Sequence, residues 1–160
     1  MKKRHMIILL AMATTVGGLA TQVAVAEDGK VYPGTMCQKS LGVGTYGGGE
    51  IANDSTTGSL TVECPVVRDA VSGGISNAYV RAYKATTSAF WCDLHAQSTY
   101  GTAGFIQHRS ATGTGYKTFS YVAMSDYDGA HYYFWCAVPP SASTAWANKS
   151  RVIAYRLDEN

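Results

Sequence analysis

The sequence predicts an all-β fold: a two-sheet antiparallel β-sandwich, jelly-roll or immunoglobulin-like, with about eight or nine strands and two disulfides. Tyrosine, valine, serine and threonine are abundant, with 11 tyrosines in 160 residues, and this composition favours strands over helices. Short apolar or alternating runs recur between turns rich in glycine, serine, asparagine and aspartate. Four widely spaced cysteines without a C-x-x-C pair are typical of an exported, disulfide-bonded domain.

The first 26 residues have the pattern of a secretory signal peptide. Residues 1–5 are basic, residues 6–13 are apolar, and residues 24–26 (Ala-Val-Ala) form a small-residue cleavage site. The apolar run is far shorter than the ~20 residues of a membrane-spanning helix, so we expect no stable membrane anchor. We therefore predict a signal peptide over 1–26, a single β-sandwich domain over 27–160, and a secreted or periplasmic bacterial protein.

The apparent basic charge belongs to this leader. Lys2, Lys3 and Arg4 are three of the 13 basic residues, so 10 remain against 11 acidic residues after cleavage. A nucleic-acid-binding protein needs a basic surface to neutralise phosphates, and we expect no such partner here.

Nine strands are predicted in order along the chain: 30–37, 49–53, 59–67, 77–85, 88–95, 103–109, 116–124, 130–138 and 150–157. Turn residues at 85–88, 110–115 and 125–130 indicate hairpins between neighbouring strands. Two longer loops are expected. One is the glycine-rich segment 41–49, and the other is 139–148, which carries Trp146.

The cysteines lie on predicted core faces. Val62, Cys64 and Val66 alternate with Thr61 and Glu63, so the first set is expected to face the core. Four cysteines permit three disulfide connectivities. Sequence neighbours favour Cys37–Cys64 and Cys92–Cys136, which leaves no free thiol.

A repeated tripeptide supports the second of these pairs. Phe-Trp-Cys occurs at residues 90–92 and again at 134–136. Two strands with matching buried faces bring matching sulfurs together, so Cys92 is expected to pair with Cys136. Alternation then directs Trp91 and Trp135 away from the core.

The outward tryptophans are the first candidate ligand-binding residues. Indole faces stack on the C–H groups of pyranose rings, while Asp93 and Gln107 offer hydrogen bonds to hydroxyls. Tyr83 belongs to a similar stripe, with Tyr79 and Arg81, on another strand. The alternative interpretation is that loops or a second molecule cover these rings.

Other polar groups give weaker indications. Residues 126–129 (Asp-Tyr-Asp-Gly) resemble the start of a calcium loop, but Ala137 stands where the closing glutamate belongs, so a hairpin turn is predicted. His95, His108 and His131 lie outside any catalytic or zinc motif and are interpreted as structural or solvated. Glu63 and Asp93 are considered as a glycosidase pair and given little weight. No catalytic residue, metal or other cofactor is predicted.

A further pattern runs through most of the predicted domain. It comprises Tyr32-Pro33-Gly34 before Cys37, Ile51-x-Asn53-x-Ser55, Val62-x-Cys64 followed by residues 65–69, Tyr133 to Pro139, and Ile153-x-Tyr155-x-Leu157-x-Glu159. It resembles a group of secreted proteins of proteobacteria, including myxobacteria, that has no assigned activity. The resemblance implies a disulfide-containing β fold and contributes no catalytic residue.

Three functional hypotheses follow. The first is an exported, non-catalytic module that binds extracellular or envelope glycan through Trp91, Trp135 and Tyr83. The second is a structural or surface-assembly component whose aromatic faces pack against partner chains. The third is a secreted hydrolase, which has the least support in the sequence.

Overall fold

A computed structural model describes residues 29–69, 73–100, 104–125 and 129–159. The predicted signal peptide lies outside these ranges, and so do residues 126–128 of the predicted turn. Within the described residues, no helix is long and apolar enough to cross a membrane.

The described residues form eleven strands and no α-helix. The strands are β1 (Gly29–Pro33), β2 (Gln38–Leu41), β3 (Gly44–Gly47), β4 (Glu50–Asn53), β5 (Leu60–Pro65), β6 (Ile75–Lys84), β7 (Phe90–Gln97), β8 (Gly104–Ala111), β9 (Gly115–Tyr121), β10 (His131–Val138) and β11 (Arg151–Glu159). All pair antiparallel with their neighbours, in a six-stranded and a five-stranded sheet. The predicted sandwich is confirmed.

The strand count differs from the prediction because the structure has two further strands, β2 before the predicted loop 41–49 and β3 within it. β2 pairs with β5, and β3 pairs with β4. The turn between β2 and β3 uses Gly42 at φ +94°, a conformation that favours glycine. Glycine-rich sequence has weak strand propensity, and pairing with better strand formers overrides it here.

The six-stranded sheet is organised around β11. Its path is β3-β4-β11-β6-β9, and β1 also pairs with β11. β6 lies along one edge of β11, whereas β4 and β1 divide the other edge between them. The five-stranded sheet has the order β2-β5-β10-β7-β8.

Inward residues from both sheets form one core. The five-stranded sheet contributes Phe90, Leu94 and Phe134, and the six-stranded sheet contributes Val80 and Tyr155, all fully buried. Strand alternation follows the prediction in β5, where Val62 and Cys64 are buried and Glu63 is exposed. The Tyr155 hydroxyl donates to the Pro65 carbonyl oxygen at 2.7 Å and so ties the two sheets together.

Both predicted disulfides are confirmed. Cys37 bonds to Cys64, and Cys92 bonds to Cys136. Cys92 and Cys136 lie directly opposite each other on β7 and β10, as the repeated tripeptide indicated.

The predicted loop 139–148 is also observed, with a single 3₁₀ turn at Trp146–Asn148. Buried Asn53 holds its first residues through Nδ2, which lies 3.1 Å from the Val138 oxygen and 3.0 Å from the Pro139 oxygen. Buried Ser141 donates to the Asn53 carbonyl oxygen at 2.5 Å and accepts from the Ser150 N–H at 3.0 Å. The loop is therefore fixed at its base.

Candidate functional site

The outer face of the five-stranded sheet carries the two predicted tryptophans side by side. Trp91 on β7 and Trp135 on β10 both point away from the core and are partly exposed. Their ring centroids lie 5.0 Å apart at 60°, an edge-to-face arrangement, and the His108 ring lies 5.9 Å from Trp91. The predicted orientation of both side chains is confirmed.

Two carboxylates flank Trp135 at the same register. Glu63 on β5 and Asp93 on β7 are the residues directly opposite Trp135 on its two neighbouring strands. Side chains in such positions have Cβ atoms about 5 Å apart. Gln38 and His108 extend the row to the outer strands β2 and β8, so one line of polar groups crosses the sheet with Trp135 at its centre.

A second aromatic group lies beside this row. Tyr133 stacks on His95, with centroids 4.6 Å apart at 9°, and the His131 ring lies 6.0 Å from Tyr133. Together with Gln97 and Ile106, His95 and Tyr133 line a shallow depression of about 200 Å³.

All three histidines of the predicted domain thus lie on one face, which the sequence interpretation missed. The sequence pattern does indicate the outward direction of two of these histidines, because residues 91, 93 and 95 share one side of their strand, as do residues 131, 133 and 135. What single strands do not reveal is that β7 and β10 are adjacent, which brings the two series together.

The three histidines have different surroundings. Nδ1 of His108 lies 2.6 Å from Oδ1 of Asp93, within hydrogen-bond distance. Nε2 of His95 is buried and has no hydrogen-bond partner among the described residues. Burial lowers the pKa of His95, and the nearby carboxylates of Asp93 and Glu63 oppose that effect.

The face has a distinctive charge. Its two acidic groups are Glu63 and Asp93, and the described outward positions hold no lysine or arginine. Lys39 and Arg109 occur on these strands, but they pair with Val62 and Cys92, whose side chains are buried, and therefore belong to the inner side. The remaining outward residues are neutral polar groups, apolar groups or histidine.

Tyr83 does not share this surface. It lies on β6, on the outer face of the six-stranded sheet, and so on the opposite side of the sandwich from both tryptophans. The Arg151 guanidinium lies 4.4 Å from its ring centroid, and Tyr116 contacts it edge-on at 5.2 Å. The three predicted ligand-binding residues therefore do not form a single site.

The prediction that Gln107 offers hydrogen bonds on the aromatic face is wrong. Gln107 pairs with buried Leu94 and is itself only 8% exposed. Its side chain exchanges two hydrogen bonds with the Val122 backbone, at 3.0 and 3.1 Å. It therefore joins β8 to the segment after β9 and is not a surface ligand.

The polar groups of the outer face lie at fixed distances from one another. Asp93 orients His108, but no described hydroxyl is hydrogen-bonded to His108 as a nucleophile would be. Glu63 and Asp93 stand on strands two positions apart, roughly 10 Å between backbones, with the Trp135 side chain between them. Within the described ranges, no group of three or more His, Cys, Asp or Glu residues is placed to hold a metal ion.

No protein-family model and no curated protein matches the chain. Several solved structures show a general likeness to this chain. The CBM36-1 domain of a multidomain xylanase from the hindgut metagenome of Trinervitermes trinervoides has 11% identity and a TM-score of 0.48, over 83% of this chain and 98% of that domain. A family 35 carbohydrate binding module from Clostridium thermocellum has 13% identity and a TM-score of 0.47. That match covers 81% of this chain and 96% of the module.

Another similar structure is an exo-β-1,3-galactanase from Phanerochaete chrysosporium, with 13% identity and a TM-score of 0.46. The match covers 81% of this chain and 29% of the galactanase chain. At these identities and TM-scores the likeness carries no information about a ligand of this chain.

Proposed function

We propose that this chain is an exported, non-catalytic binding module for extracellular or cell-envelope glycan. The observation that carries the proposal is the Trp91–Trp135 pair on the outer face of the five-stranded sheet, with Glu63 and Asp93 directly beside Trp135. Partly exposed indoles flanked by hydrogen-bonding groups are the combination that sugar rings require.

Stacking contacts and hydrogen bonds to a sugar complement each other at this site. The C–H face of a pyranose packs on an indole, and its equatorial hydroxyls then reach the carboxylates of Glu63 and Asp93 and the ring of His108. The row from Gln38 to His108 spans four strand spacings, roughly 19 Å, so a short oligosaccharide fits along it.

The site is held rigidly before any ligand arrives. The Cys92–Cys136 disulfide joins β7 and β10 on the core side, one residue away from each tryptophan. A preorganised site loses less conformational entropy on binding, which favours affinity. Export is supported by the signal-like leader and by the disulfides, which persist in oxidising compartments.

A glycan array with the purified protein tests this function. We expect binding to a subset of polysaccharides or oligosaccharides, and loss of roughly tenfold or more in affinity for Trp91→Ala and for Trp135→Ala. Trp146→Ala is the matched control, because Trp146 contacts Gly47 of the six-stranded sheet and lies away from the proposed site. Binding that survives both site substitutions, or an array on which nothing binds, contradicts the proposal.

A second candidate function is assembly with partner chains. Phe105 and Ile106 on the edge strand β8 are each 55% exposed, and β8 pairs with β7 on one side only. An apolar, unpaired edge is a surface on which another chain packs. Light scattering at micromolar concentration distinguishes the two, since a strict monomer argues against self-assembly.

A further inference from the structure

The side chains around Trp135 bear on the charge of the ligand. Glu63 and Asp93 stand on either side of a single indole, each directly opposite it in the sheet. A cation placed over that ring meets the negative face of the aromatic system and lies within reach of a carboxylate on each side. The arrangement has the chemistry of an ammonium site.

We infer that the site prefers glycans that carry protonated primary amines, such as oligomers of deacetylated hexosamine, over neutral or acidic glycans. This inference rests on the proposed glycan-binding function and specifies its ligand class. The sugar ring stacks on an indole, and its ammonium group contacts the Trp135 face and the Glu63 carboxylate.

The outward charges support this order of preference. The described outward positions of the five-stranded sheet include two carboxylates and no lysine or arginine. A uronate or sulfated sugar therefore meets two carboxylates, with no outward lysine or arginine among the described residues to pair with it. A neutral sugar retains the stacking and hydroxyl contacts but gains no charge interaction.

Glu63 should contribute more than Asp93 to the preference for a sugar that carries an ammonium group. Asp93 is largely covered, and one of its carboxylate oxygens lies 2.6 Å from Nδ1 of His108, so that oxygen already has a partner within the protein. Glu63 is exposed, and no described residue forms an ion pair with it. Its charge is therefore available to a ligand, and Glu63→Gln removes that charge while keeping the shape of the side chain.

Titration calorimetry with three probes tests the inference. The probes are a glucosamine oligomer, an N-acetylglucosamine oligomer of the same length and a uronic acid oligomer, at about pH 6 and physiological salt. We expect the glucosamine oligomer to bind the native protein roughly tenfold more tightly than the N-acetylated one. Glu63→Gln should remove most of that difference, because it should weaken binding of the glucosamine oligomer far more than binding of the N-acetylated one.

Asp69→Asn is the matched control, because it removes one negative charge beside Lys30 of β1, which belongs to the other sheet. It should retain the full preference. Equal affinity of the native protein for the amino and N-acetylated oligomers overturns the inference and leaves the glycan-binding function standing. Equal loss of preference in Asp69→Asn also overturns it, since the effect is then one of net charge. Absence of binding to all three probes, together with an empty array, overturns the function itself.

Discussion

At the scale of single residues, each outward side chain of β7 and β10 takes its direction from the buried residue next to it in the strand. The outward direction of Trp91 and Trp135 follows from the buried cysteines beside them and is confirmed. Gln107 was wrongly assigned to the surface, because the short polar run around it does not show that its strand partner is the buried Leu94. The histidines were missed because their significance depends on which strands are adjacent.

His95 should make stability depend on pH. Burial lowers its pKa in the folded protein below the ordinary value of 6.5, so the unfolded chain binds the proton more readily. The free energy of unfolding should therefore fall as pH decreases through 6.5. Urea unfolding of native protein and His95→Gln at pH 7.5, 6.5 and 5.5 measures this, and the native protein should lose more stability than the variant.

His131→Gln is the control for this experiment, since His131 lies on the same face but is exposed. It should retain the pH dependence of the native protein. Parallel curves for native protein and His95→Gln would show that His95 does not contribute to acid destabilisation.

At the scale of elements, the seven later predicted strands correspond to observed ones, and the main error lies in the segment before β4. The sequence shows a glycine at position 42, but it does not show that this residue forms a tight turn between two strands. A Cβ at this position would lie 2.6 Å from the Ser59 carbonyl oxygen, so β2 and β3 are joined by a turn that has room only for glycine. Such close approach to a distant segment cannot be deduced from local composition.

Replacing a turn glycine with alanine can cost stability through an unfavourable positive φ and through a steric clash of the new Cβ. Comparison of Gly42 with Gly48 distinguishes these two effects. Both have positive φ, +94° and +58°, but a Cβ at Gly48 meets nothing within 4 Å. Gly48→Ala should lower the free energy of unfolding by about 1 kcal/mol, the cost of the backbone conformation alone. Gly42→Ala should cost about 2 kcal/mol more, because the Ser59 backbone must also shift. Denaturant titration of both variants checks this, and similar losses would contradict it.

The loop 139–148 depends on one buried amide. Asn53 is fully buried, and its Nδ2 lies within 3.1 Å of the Gly58, Val138 and Pro139 oxygens. Asn53→Ala leaves these oxygens without their donor and should lower the free energy of unfolding by about 3 kcal/mol. Asn77→Ala, at an exposed position of β6, should change it by less than about 0.5 kcal/mol. Urea unfolding measures both, and equal effects would refute the anchoring role.

At the scale of the whole molecule, the two outer faces differ in chemistry. The face with the tryptophans is acidic, whereas the opposite face carries Arg81 and Arg151 among its tyrosines. Net charge conceals this difference, because it averages over both faces. The sandwich, its core faces and its disulfides were predictable from the sequence. The division of candidate residues between two surfaces was not, since it depends on strand order.

The two disulfides should contribute similarly to stability and differently to binding. Each closes a long loop, with sequence separations of 27 and 44 residues, and its removal should cost about 3–4 kcal/mol. Only Cys92–Cys136 lies directly beneath the tryptophans. The double variant Cys92→Ala/Cys136→Ala should therefore also weaken glycan binding, whereas Cys37→Ala/Cys64→Ala should bind normally while folded. Thermal unfolding and calorimetry on both variants test this, and equal binding by the two variants would contradict the positioning role.

The place of β11 in the six-stranded sheet has a consequence for how the chain acquires its structure. β11 is the last described strand in chain order, yet it is the strand with which β1 pairs. During synthesis from the N-terminus, residues 29–33 therefore have no β11 strand to join until residues 154–158 emerge. Closure of this sheet is a late, long-range event, and folding is expected to be slow and completed only after the last strand has been made.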